Sequence, residues 1–498
     1  MKTIMYEDGG SDPDERAPAA LELPAEVTRA LGRRTWEIVT GHLHDAPPGS
    51  PVAAPDAPAT GARLRAEPLP EGPAGAPLNV VDEVGRLLRE GNAHPDHPDF
   101  LAFTPSPGTV TGILGATLAT GFAVPGGWRF TAPVSAAIES ATVRWLVELL
   151  GLSPGTSGLF VSGGSTANLT ALTAARDARV GTEARAATAY FSDQTHFSVP
   201  RALHVLGIDS TRVRILPGDP RRGICPTDLA RRVAEDRWHG LRPFLVVANA
   251  GTTATGAVDP LPELAAFCRS EGLWLHVDGA FGAAAALTER GRARLTGLAD
   301  ADSLSLDPHK WLFQPAESGC VLLREPEHLT RAFGVELPSY LEAGADTSGD
   351  PHAEPDYLQW GVQQTREFRA LRLWLSLKVF GARAFRAAVD RGLDAAEAVA
   401  AHVDAHPGLE LVTGPSSAVV TFRPHPDRPD ELVDRVCREL RAEGRAMLVG
   451  VTVAGRRTFR LCPINPRTEP ARLLALVDLI AERCAAAGRD PNPAAGDR

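Results

Sequence analysis

The middle of the chain alternates short apolar runs with stretches of helical periodicity. A helical stretch at 136–150 is followed by an apolar run at 158–161, a glycine-rich turn and a second helical stretch at 166–180. Further apolar runs of strand length lie at 187–191, 212–215, 243–249, 273–277, 303–306 and 319–323. Strands that alternate with helices are typical of a mainly parallel sheet in an α/β fold.

Different patterns flank this central region. Helical periodicity predicts helices at 24–43 and 80–90, and the Pro-, Ala- and Gly-rich connector 46–77 is predicted to be a loop. The stretch 110–124 is predicted to be a buried helix. Toward the end, a helical stretch at 367–380 closes the central region, and the pattern then predicts a small α+β domain with helices at 384–402 and 431–443 and strands at 408–413, 418–423, 445–453 and 458–462.

These patterns divide the chain into segments. A chain of 498 residues exceeds the size at which one hydrophobic core stops growing, so more than one packed unit is expected. The predicted segments are a disordered tail (1–23), an N-terminal helical segment (24–110), a large domain (111–380), a small C-terminal α+β domain (381–487) and a second tail (488–498).

The composition narrows the kinds of partner. A net charge of −10 argues against nucleic acid and against an anionic membrane, because both require a basic field. The stretch 110–124 is shorter than a membrane span of roughly 20 residues, and the first residues lack the apolar core of a signal peptide. Six cysteines without a Cys-x-x-Cys pair indicate neither a zinc site nor a disulfide framework. We therefore expect a cytoplasmic protein with a small-molecule substrate and no metal.

A histidine and a lysine stand together after the apolar run 303–306. The sequence Ser-Leu-Ser-Leu-Asp-Pro-His-Lys-Trp places His309 and Lys310 in a polar turn at the end of a buried strand. A lysine becomes an aldehyde-trapping nucleophile where desolvation or a neighbouring cation favours its neutral amine. Lys310 is therefore the candidate catalytic amine, and a solvated loop lysine is the alternative.

An acid closes the preceding buried-strand pattern, Leu-Trp-Leu-His-Val-Asp-Gly-Ala. This pattern places Asp278 at the carboxyl end of a strand, where ligands of α/β sheets bind. A carboxylate beside the ring nitrogen of a pyridoxal cofactor keeps that nitrogen protonated, and the ring then accepts electrons from a bond broken at the substrate's α-carbon. A helix cap or a metal ligand are the alternatives for Asp278.

A glycine turn lies between a strand and a helix at 159–168, Leu-Phe-Val-Ser-Gly-Gly-Ser-Thr-Ala-Asn. Free backbone N–H groups and the positive helix end attract a phosphate, and the Ser165 hydroxyl adds a donor. The spacing matches neither the Walker A motif nor the dinucleotide-binding fingerprint. An ordinary capped helix is the alternative.

Two further polar segments follow apolar runs, Asp-Gln-Thr-His-Phe-Ser-Val from position 193 and Asn-Ala-Gly-Thr-Thr-Ala-Thr-Gly from position 249. His196 is a candidate for stacking on the cofactor ring. Either Thr252 or Thr253 is a candidate for a hydrogen bond to the ring's phenolic oxygen. A core histidine and a local Ser/Thr turn are the alternatives.

The ordered set SGGSTAN, DQTHFSV, NAGTTATG, HVDGA and DPHKW resembles the pyridoxal-phosphate-dependent (group II) amino acid decarboxylases, the family of the aromatic-L-amino-acid and glutamate decarboxylases. The resemblance covers roughly residues 24–485, and HVDGA with DPHKW is its specific part. It implies an aspartate-aminotransferase-like fold (fold type I), whose large domain carries a mainly parallel seven-stranded sheet. It also implies pyridoxal 5′-phosphate as the cofactor and a homodimer with active sites at the subunit interface, in which the N-terminal helical segment 24–110 serves dimerisation.

The resemblance implies roles for cofactor-binding residues. Lys310 would hold the cofactor as a Schiff base, and Asp278 would pair with the ring nitrogen. His196 would stack on one face of the ring and Ala280 would contact the other. The positions on the phosphate side are Gly164, Ser165 and His309, and the threonine near the ring oxygen is Thr252 or Thr253.

The resemblance also implies residues on the substrate side. Arg460 falls where relatives carry an arginine, whose planar fork suits bidentate pairing with a substrate carboxylate. Tyr340 lies in a Gly- and Asp-rich stretch, where the family has a tyrosine in a loop that closes over the site. Such a phenol can donate a proton to the α-carbon, and a surface tyrosine is the alternative.

Departures from the family pattern bear on the substrate. Phe103 remains in the segment that holds several adjacent aromatics in aromatic-specific members, but Thr104 stands where relatives often have another ring. Pro95 occupies a position at which relatives can carry a tryptophan. Arg129 lies in a segment whose sequence differs from the one usual in the family. Its side chain could face the pocket of the neighbouring subunit. These departures argue against an aromatic substrate.

The activity that the resemblance implies is decarboxylation of an L-amino acid to the corresponding amine and CO2. The same cofactor supports decarboxylation-dependent oxidative deamination, transamination and aldol-type cleavage, which stay open as alternatives. A third possibility is a cofactor-free dimer that acts only as a binding protein. The presence of both Lys310 and Asp278 argues against it.

Overall fold

The computed structural model describes residues 21, 23–45, 49–104, 107–181, 184–221, 223–339, 355–425 and 428–487. The chain divides into two compact units, Met1–His94 and Pro95–Arg498. The predicted tails, 1–23 and 488–498, lie outside the described residues except for residues 21 and 23.

The first unit is helical. Its helices are α1 (Ala25–Thr40), which continues into a π-helical turn (Gly41–Asp45), α2 (Ala57–Ala66) and α3 (Pro77–Gly91). Helices α1 and α3 contact each other where Gly85 leaves room for the Ile38 side chain. Arg34 of α1 donates to Asp82 of α3 at 2.5 Å.

Helix α2 corrects the prediction that all of 46–77 is a loop. The helix begins with Pro58 in its first turn, where a missing backbone N–H costs nothing because that group has no partner inside a helix. Arg63 and Glu67, four residues apart, form an ion pair of 2.9 Å along its last turn. A proline-rich composition therefore concealed a helix that has its proline at the start.

A seven-stranded sheet forms the core of the second unit, in the order β1-β9-β8-β7-β6-β2-β3. Strands β2, β3, β6, β7 and β8 run parallel, and β9 is antiparallel to both of its neighbours. Each predicted apolar run of the central region forms one of these strands, and the predicted fold class is confirmed. The strands are β1 (Ser157–Val161), β2 (Ala187–Ser192), β3 (Val213–Leu216), β6 (Arg242–Asn249), β7 (Trp274–Asp278), β8 (Ser303–Leu306) and β9 (Gly319–Leu323), with a separate hairpin of β4 (Gly218–Asp219) and β5 (Gly223–Ile224).

Helices cover this sheet and the smaller one that follows. The helices of the second unit are α4 (Val110–Gly121), α5 (Pro133–Leu150), α6 (Gly164–Arg179), α7 (Ser198–Val205), α8 (Pro226–Trp238), α9 (Leu261–Glu271), α10 (Glu289–Arg294), α11 (Glu327–Phe333), α12 (Ala370–Ala405), α13 (Glu431–Ala442) and α14 (Pro470–Ala487). Among all the helices that the structure describes, none combines the length and apolar character needed to cross a membrane.

Helix α4 corrects the prediction of a buried helix at 110–124, because only one of its faces is buried. Gly115 lies against the backbone of Arg372, where an added Cβ would come within 3.0 Å. On the opposite face, Leu114 and Leu118 are 37% and 46% exposed in the single chain. The small residues of the stretch therefore serve close helix packing on one side only.

A four-stranded antiparallel sheet forms near the end of the chain, in the order β10-β11-β13-β12. Helix α12 leads into it and is interrupted at Gly381, whose φ of 72° and ψ of 159° are not helical. The interruption separates the two predicted helical stretches 367–380 and 384–402. The strands are β10 (Leu409–Thr413), β11 (Val420–Pro424), β12 (Val449–Val453) and β13 (Arg456–Leu461).

Candidate active site

A cavity of about 260 Å³ lies at the carboxyl ends of the central parallel strands. Strands β6, β7 and β8 are neighbours in the sheet, so the residues that follow them meet at one edge. Eight of the residues predicted from sequence line this cavity: Gly164, Ser165, His196, Thr253, Asp278, Ala280, His309 and Lys310.

Lys310 lies in a tight turn after β8, with its backbone N–H bonded to the Asp307 carbonyl oxygen at 2.9 Å. Its Nζ is 2.9 Å from Asp307 Oδ2, and the Asp307 side chain is only 2% exposed. Asp307 was not among the predicted site residues. Its spacing of three residues from Lys310 was the available signal, because a turn brings such positions together.

Asp278 ends β7 and is held by donors on both carboxylate oxygens. Oδ1 accepts from the Ala280 backbone N–H at 3.1 Å and from the Ser305 hydroxyl at 3.2 Å. Oδ2 accepts from Asn168 Nδ2 at 2.9 Å. These contacts fix the plane of the carboxylate at the cavity wall.

The glycine turn after β1 brings the start of α6 to the cavity. An added Cβ on Gly164 would lie 2.8 Å from Asp307 Oδ2 and 3.0 Å from the Ala280 side chain, so a larger residue does not fit there. Helix α6 spans 16 residues, and its first N–H groups lack partners inside the helix. Together with Ser165 and His309 they form a site suited to a phosphate.

A buried ion pair supports the strand that leads into this turn. Glu139 and Arg366 are 1% and 2% exposed and lie 2.6 Å apart. Glu139 Oε1 accepts from the Phe160 backbone N–H at 2.8 Å, and Arg366 Nη2 donates to the Phe160 carbonyl oxygen at 2.5 Å. The pair thus holds both backbone groups of one residue of β1.

His196 lies at the cavity between β2 and α7. Its Nδ1 is 2.8 Å from the Ser198 hydroxyl, which orients the ring. Burial lowers the pKa of His196, an effect that the Asp278 carboxylate opposes and the Lys310 ammonium reinforces. The ring is therefore neutral near pH 7.

The structure distinguishes the two candidate threonines. The Thr252 hydroxyl is 2.9 Å from that of Thr255 and accepts from the Ala257 backbone N–H, so it is used inside its own turn. Thr253 lines the cavity.

Phe103, Arg129 and Arg460, which were predicted on the substrate side, are not among the residues that line the cavity. Arg460 is 2% exposed and donates to the carbonyl oxygens of Thr253 and Phe103 at 2.7 and 2.6 Å. Its Nη2 has no hydrogen-bond partner among the residues that the structure describes. Arg129 is anchored by its backbone N–H to Asp356 at 2.9 Å, and Tyr340 lies outside the described residues.

Asn168 is the second residue that the prediction missed. It bridges Asp278 and Ser198 through Nδ2, at 2.9 and 3.0 Å, and it lines the cavity. Its position four residues after Gly164 was a usable signal, since residues one helical turn apart share a face.

Comparison with known proteins identifies the family. Residues 64–425 match the family model described as the pyridoxal-dependent decarboxylase conserved domain. The chain belongs to this family. The resemblance drawn from the sequence motifs is thereby confirmed, as is pyridoxal phosphate as the cofactor.

Individual relatives extend this comparison. The chain is 40% identical to an aromatic-L-amino-acid decarboxylase of Bacillus atrophaeus over 464 residues, which cover 92% of this chain and 95% of that protein. It is 30% identical to a phenylacetaldehyde synthase of Arabidopsis thaliana, covering 81% and 85% of the two chains. Among solved structures, Oryza sativa TDC with PLP and tryptamine superposes with a TM-score of 0.87 at 25% identity, covering 94% of this chain and 100% of that one. The protein is a pyridoxal-phosphate-dependent decarboxylase.

Proposed function

We propose that Lys310 is the residue that holds pyridoxal phosphate covalently, and that the enzyme converts an aromatic L-amino acid to its amine and CO2. The observation that carries the first part is the shared cavity. It presents one lysine amine, two buried carboxylates (Asp278 and Asp307) and the start of α6 to the same space. The 40% identical relative supports the aromatic class of substrate.

The residues at the cavity fit the cofactor. The Gly164 position has no room for a side chain and opens the start of α6 to a phosphate, with Ser165 and His309 beside it. Asp278 would face the ring nitrogen, with His196 and Ala280 on opposite faces of the ring. Thr253 is the threonine available to the ring oxygen.

When bound, pyridoxal phosphate supplies a sink for the electron pair left on the α-carbon as CO2 departs. Asp278 would keep the ring nitrogen protonated, since its carboxylate is held in place by three donors. The proposal also keeps Arg460 as the partner of the substrate carboxylate, because its Nε donates to the carbonyl oxygen of Thr253, a residue that lines the cavity. Tyr340 would deliver the proton to the α-carbon, and Phe103 would contact the substrate side chain.

The lysine assignment has a sharp test, because the chain contains only Lys2, Lys310 and Lys378. Borohydride treatment of the loaded enzyme followed by peptide mapping should place the cofactor on Lys310. Lys378, an exposed residue beside the Trp374 ring, is the matched control. Lys378→Ala should keep the label and Lys310→Ala should lose it, and a label on either other lysine would refute the assignment.

The substrate class needs a separate test. CO2 release should be measured across aromatic, acidic and aliphatic L-amino acids. Turnover confined to acidic or aliphatic substrates would refute the aromatic proposal and favour the sequence departures at Pro95 and Thr104. Arg129→Ala should alter this specificity profile if Arg129 faces the pocket.

We also propose a homodimer, in which Arg129 contributes to the partner's active site. Apolar side chains of the second unit that are exposed in the single chain support an interface with a second copy, with Leu114 and Leu118 of α4 at 37% and 46%. Sedimentation should give twice the chain mass. Mixing Arg129→Ala subunits with inactive Lys310→Ala subunits should return the parental specificity profile at about a quarter of all sites, because half of random dimers carry one intact site.

A second candidate function is oxidative formation of an aldehyde, in which the amino acid, O2 and water give the aldehyde, CO2, ammonia and hydrogen peroxide. The phenylacetaldehyde synthase relative favours it. Product analysis separates the two functions, because the amine accumulates in one case and the aldehyde with ammonia in the other.

We also propose a cytoplasmic location, which was predicted from the unpaired cysteines. All six cysteines are free thiols in the structure.

A further inference from the structure

A chain of buried polar side chains runs from Asp278 into the interior of the sheet. Asn168 contacts Asp278, His276 contacts Asn168, and the chain continues through Ser303 to Trp274. These four residues beyond Asp278 are at most 2% exposed. His276, Ser303 and Trp274 lie behind the cavity and belong to none of the roles described above.

The direction of the hydrogen bonds follows from the acceptor at one end. A carboxylate only accepts, so Asn168 must turn its Nδ2 toward Asp278. Its Oδ1 then faces His276 Nε2 at 3.0 Å, and an amide oxygen only accepts. His276 must therefore carry its proton on Nε2.

The other end of the chain agrees with this direction. An indole N–H only donates, and Trp274 Nε1 donates to the Ser303 hydroxyl oxygen at 2.8 Å. The Ser303 proton is thus available for His276 Nδ1, also at 2.8 Å. Burial lowers the pKa of His276 to about 4, so the ring is neutral and its Nδ1 accepts. Every donor along the chain therefore points toward Asp278.

A second series of hydrogen bonds leads from Asn168 through Ser198 to His196, the histidine that lines the cavity. Asn168 Nδ2 donates to the Ser198 hydroxyl oxygen at 3.0 Å, which leaves the Ser198 proton for His196 Nδ1 at 2.8 Å. The Ser198 backbone N–H also points at Nδ1, at 3.3 Å. Nδ1 must therefore be unprotonated, which places the proton of the neutral His196 ring on Nε2.

We propose that Asn168, His276 and Ser303 are positioning residues that orient the Asp278 carboxylate and, through Ser198, fix His196 as the Nε2-protonated tautomer. This inference rests on the proposed role of Asp278 at the ring nitrogen. It makes His196 a hydrogen-bond donor at the cavity and excludes it as the base that removes a proton through Nε2.

The tautomers can be measured directly. Nitrogen NMR of the cofactor-loaded enzyme labelled with [15N]histidine distinguishes protonated from unprotonated ring nitrogens. His276→Gln and His196→Gln variants assign the two rings by loss of their signals. Both rings should be protonated on Nε2 alone near pH 7, and a proton on Nδ1 of either ring would overturn the proposal.

Two substitutions of His276 test its effect on Asp278. His276→Gln places an amide donor near the former Nε2, whereas His276→Leu offers no donor to Asn168. Cofactor affinity, measured by equilibrium dialysis, should fall by about 10- to 100-fold in His276→Leu and stay within about threefold in His276→Gln. Equal losses in both variants would mean that the donor is irrelevant and would overturn the proposal.

A matched control separates this effect from general destabilisation. Tyr190 is fully buried in the same sheet and donates to Asp236 at 2.6 Å, away from the cavity. Tyr190→Phe should lower the melting temperature without changing cofactor affinity. Should His276→Leu fail to fold, Ser303→Ala removes one hydroxyl only and should still weaken cofactor binding. Unchanged affinity in Ser303→Ala would overturn the positioning role of the polar chain.

The outcomes distinguish this inference from the proposed function. An enzyme with its cofactor on Lys310 but with His276 protonated on Nδ1 retains the proposed function and refutes the positioning role. A protein labelled on another lysine loses the proposed function, while the tautomers of His276 and His196 remain measurable.

Discussion

Replacing Asp278 by asparagine would exchange one carboxylate oxygen for an NH2 group at a position that is surrounded by hydrogen-bond donors. Ala280 N–H and the Ser305 hydroxyl point at Oδ1, and Asn168 Nδ2 points at Oδ2. The Ala280 N–H belongs to the backbone and cannot turn away. The new NH2 group would therefore take the Oδ2 position and face the Asn168 NH2 group, donor against donor.

The magnitude follows from the hydrogen bond between Asn168 and the carboxylate, which the amide cannot form. A hydrogen bond to a charged group contributes about 1.5–3 kcal/mol. A loss of that size, fully expressed in the transition state, corresponds to roughly a 10- to 100-fold slower reaction, since each ~1.4 kcal/mol is a factor of ten. The neutral amide also ceases to favour a proton on the ring nitrogen, so the rate should fall more than the affinity for substrate.

The assay is steady-state CO2 release with cofactor content measured on the same sample. Asp302→Asn is the control, because Asp302 is a largely buried carboxylate at the opposite end of the same pair of strands and accepts from the Leu275 backbone N–H at 2.8 Å. It should cost stability and leave turnover per bound cofactor unchanged. If Asp278→Asn turns over at the parental rate with full cofactor content, Asp278 has been misassigned.

Three further predictions concern other residues. Glu139→Gln should lower the free energy of unfolding by about 3–5 kcal/mol in denaturant titrations, because it leaves the buried Arg366 charge unpaired, and a loss within experimental error would refute this. Because burial lowers the pKa of His276 from 6.5 to about 4, the unfolded chain binds a proton that the folded chain does not, and the free energy of unfolding should fall as pH drops across that window. This fall should be smaller in His276→Gln, and equal pH dependence would contradict the assignment. Tyr340→Phe should bind cofactor and substrate normally but form amine more slowly, and amine formation at the parental rate would exclude Tyr340 as the proton donor.

Local sequence patterns were sufficient to predict the strands of the large sheet and the residues at one edge of the site. Buried strands such as β7 appear as apolar runs, and the residue after each run lies at the carboxyl edge of a parallel sheet. Asp278 and Lys310 could be selected on this basis, because their positions depend on strand ends that are visible in the sequence. The glycine turn before α6 was visible for the same reason.

Composition misled at two helices. The prolines around α2 suggested a loop, although a proline in the first helical turn is compatible with a helix. The apolar stretch of α4 predicted a buried helix, but in the single chain only its small residues face the protein core and Leu118 is exposed. Which face of a helix is covered depends on neighbours that are distant in the chain.

The sequence by itself therefore determined the positions of the central strands, because short motifs encode turns and strand ends locally. The cofactor class and the family followed from the resemblance that those motifs carry. Only the tertiary structure decided which threonine faces the cavity, since the Thr252 hydroxyl is used by its own turn. It also decided the partners of Asp278, because Asn168 is 110 residues away in the chain. Hydrogen-bond direction between such distant groups depends on packing, and hydrophobic periodicity carries no information about it.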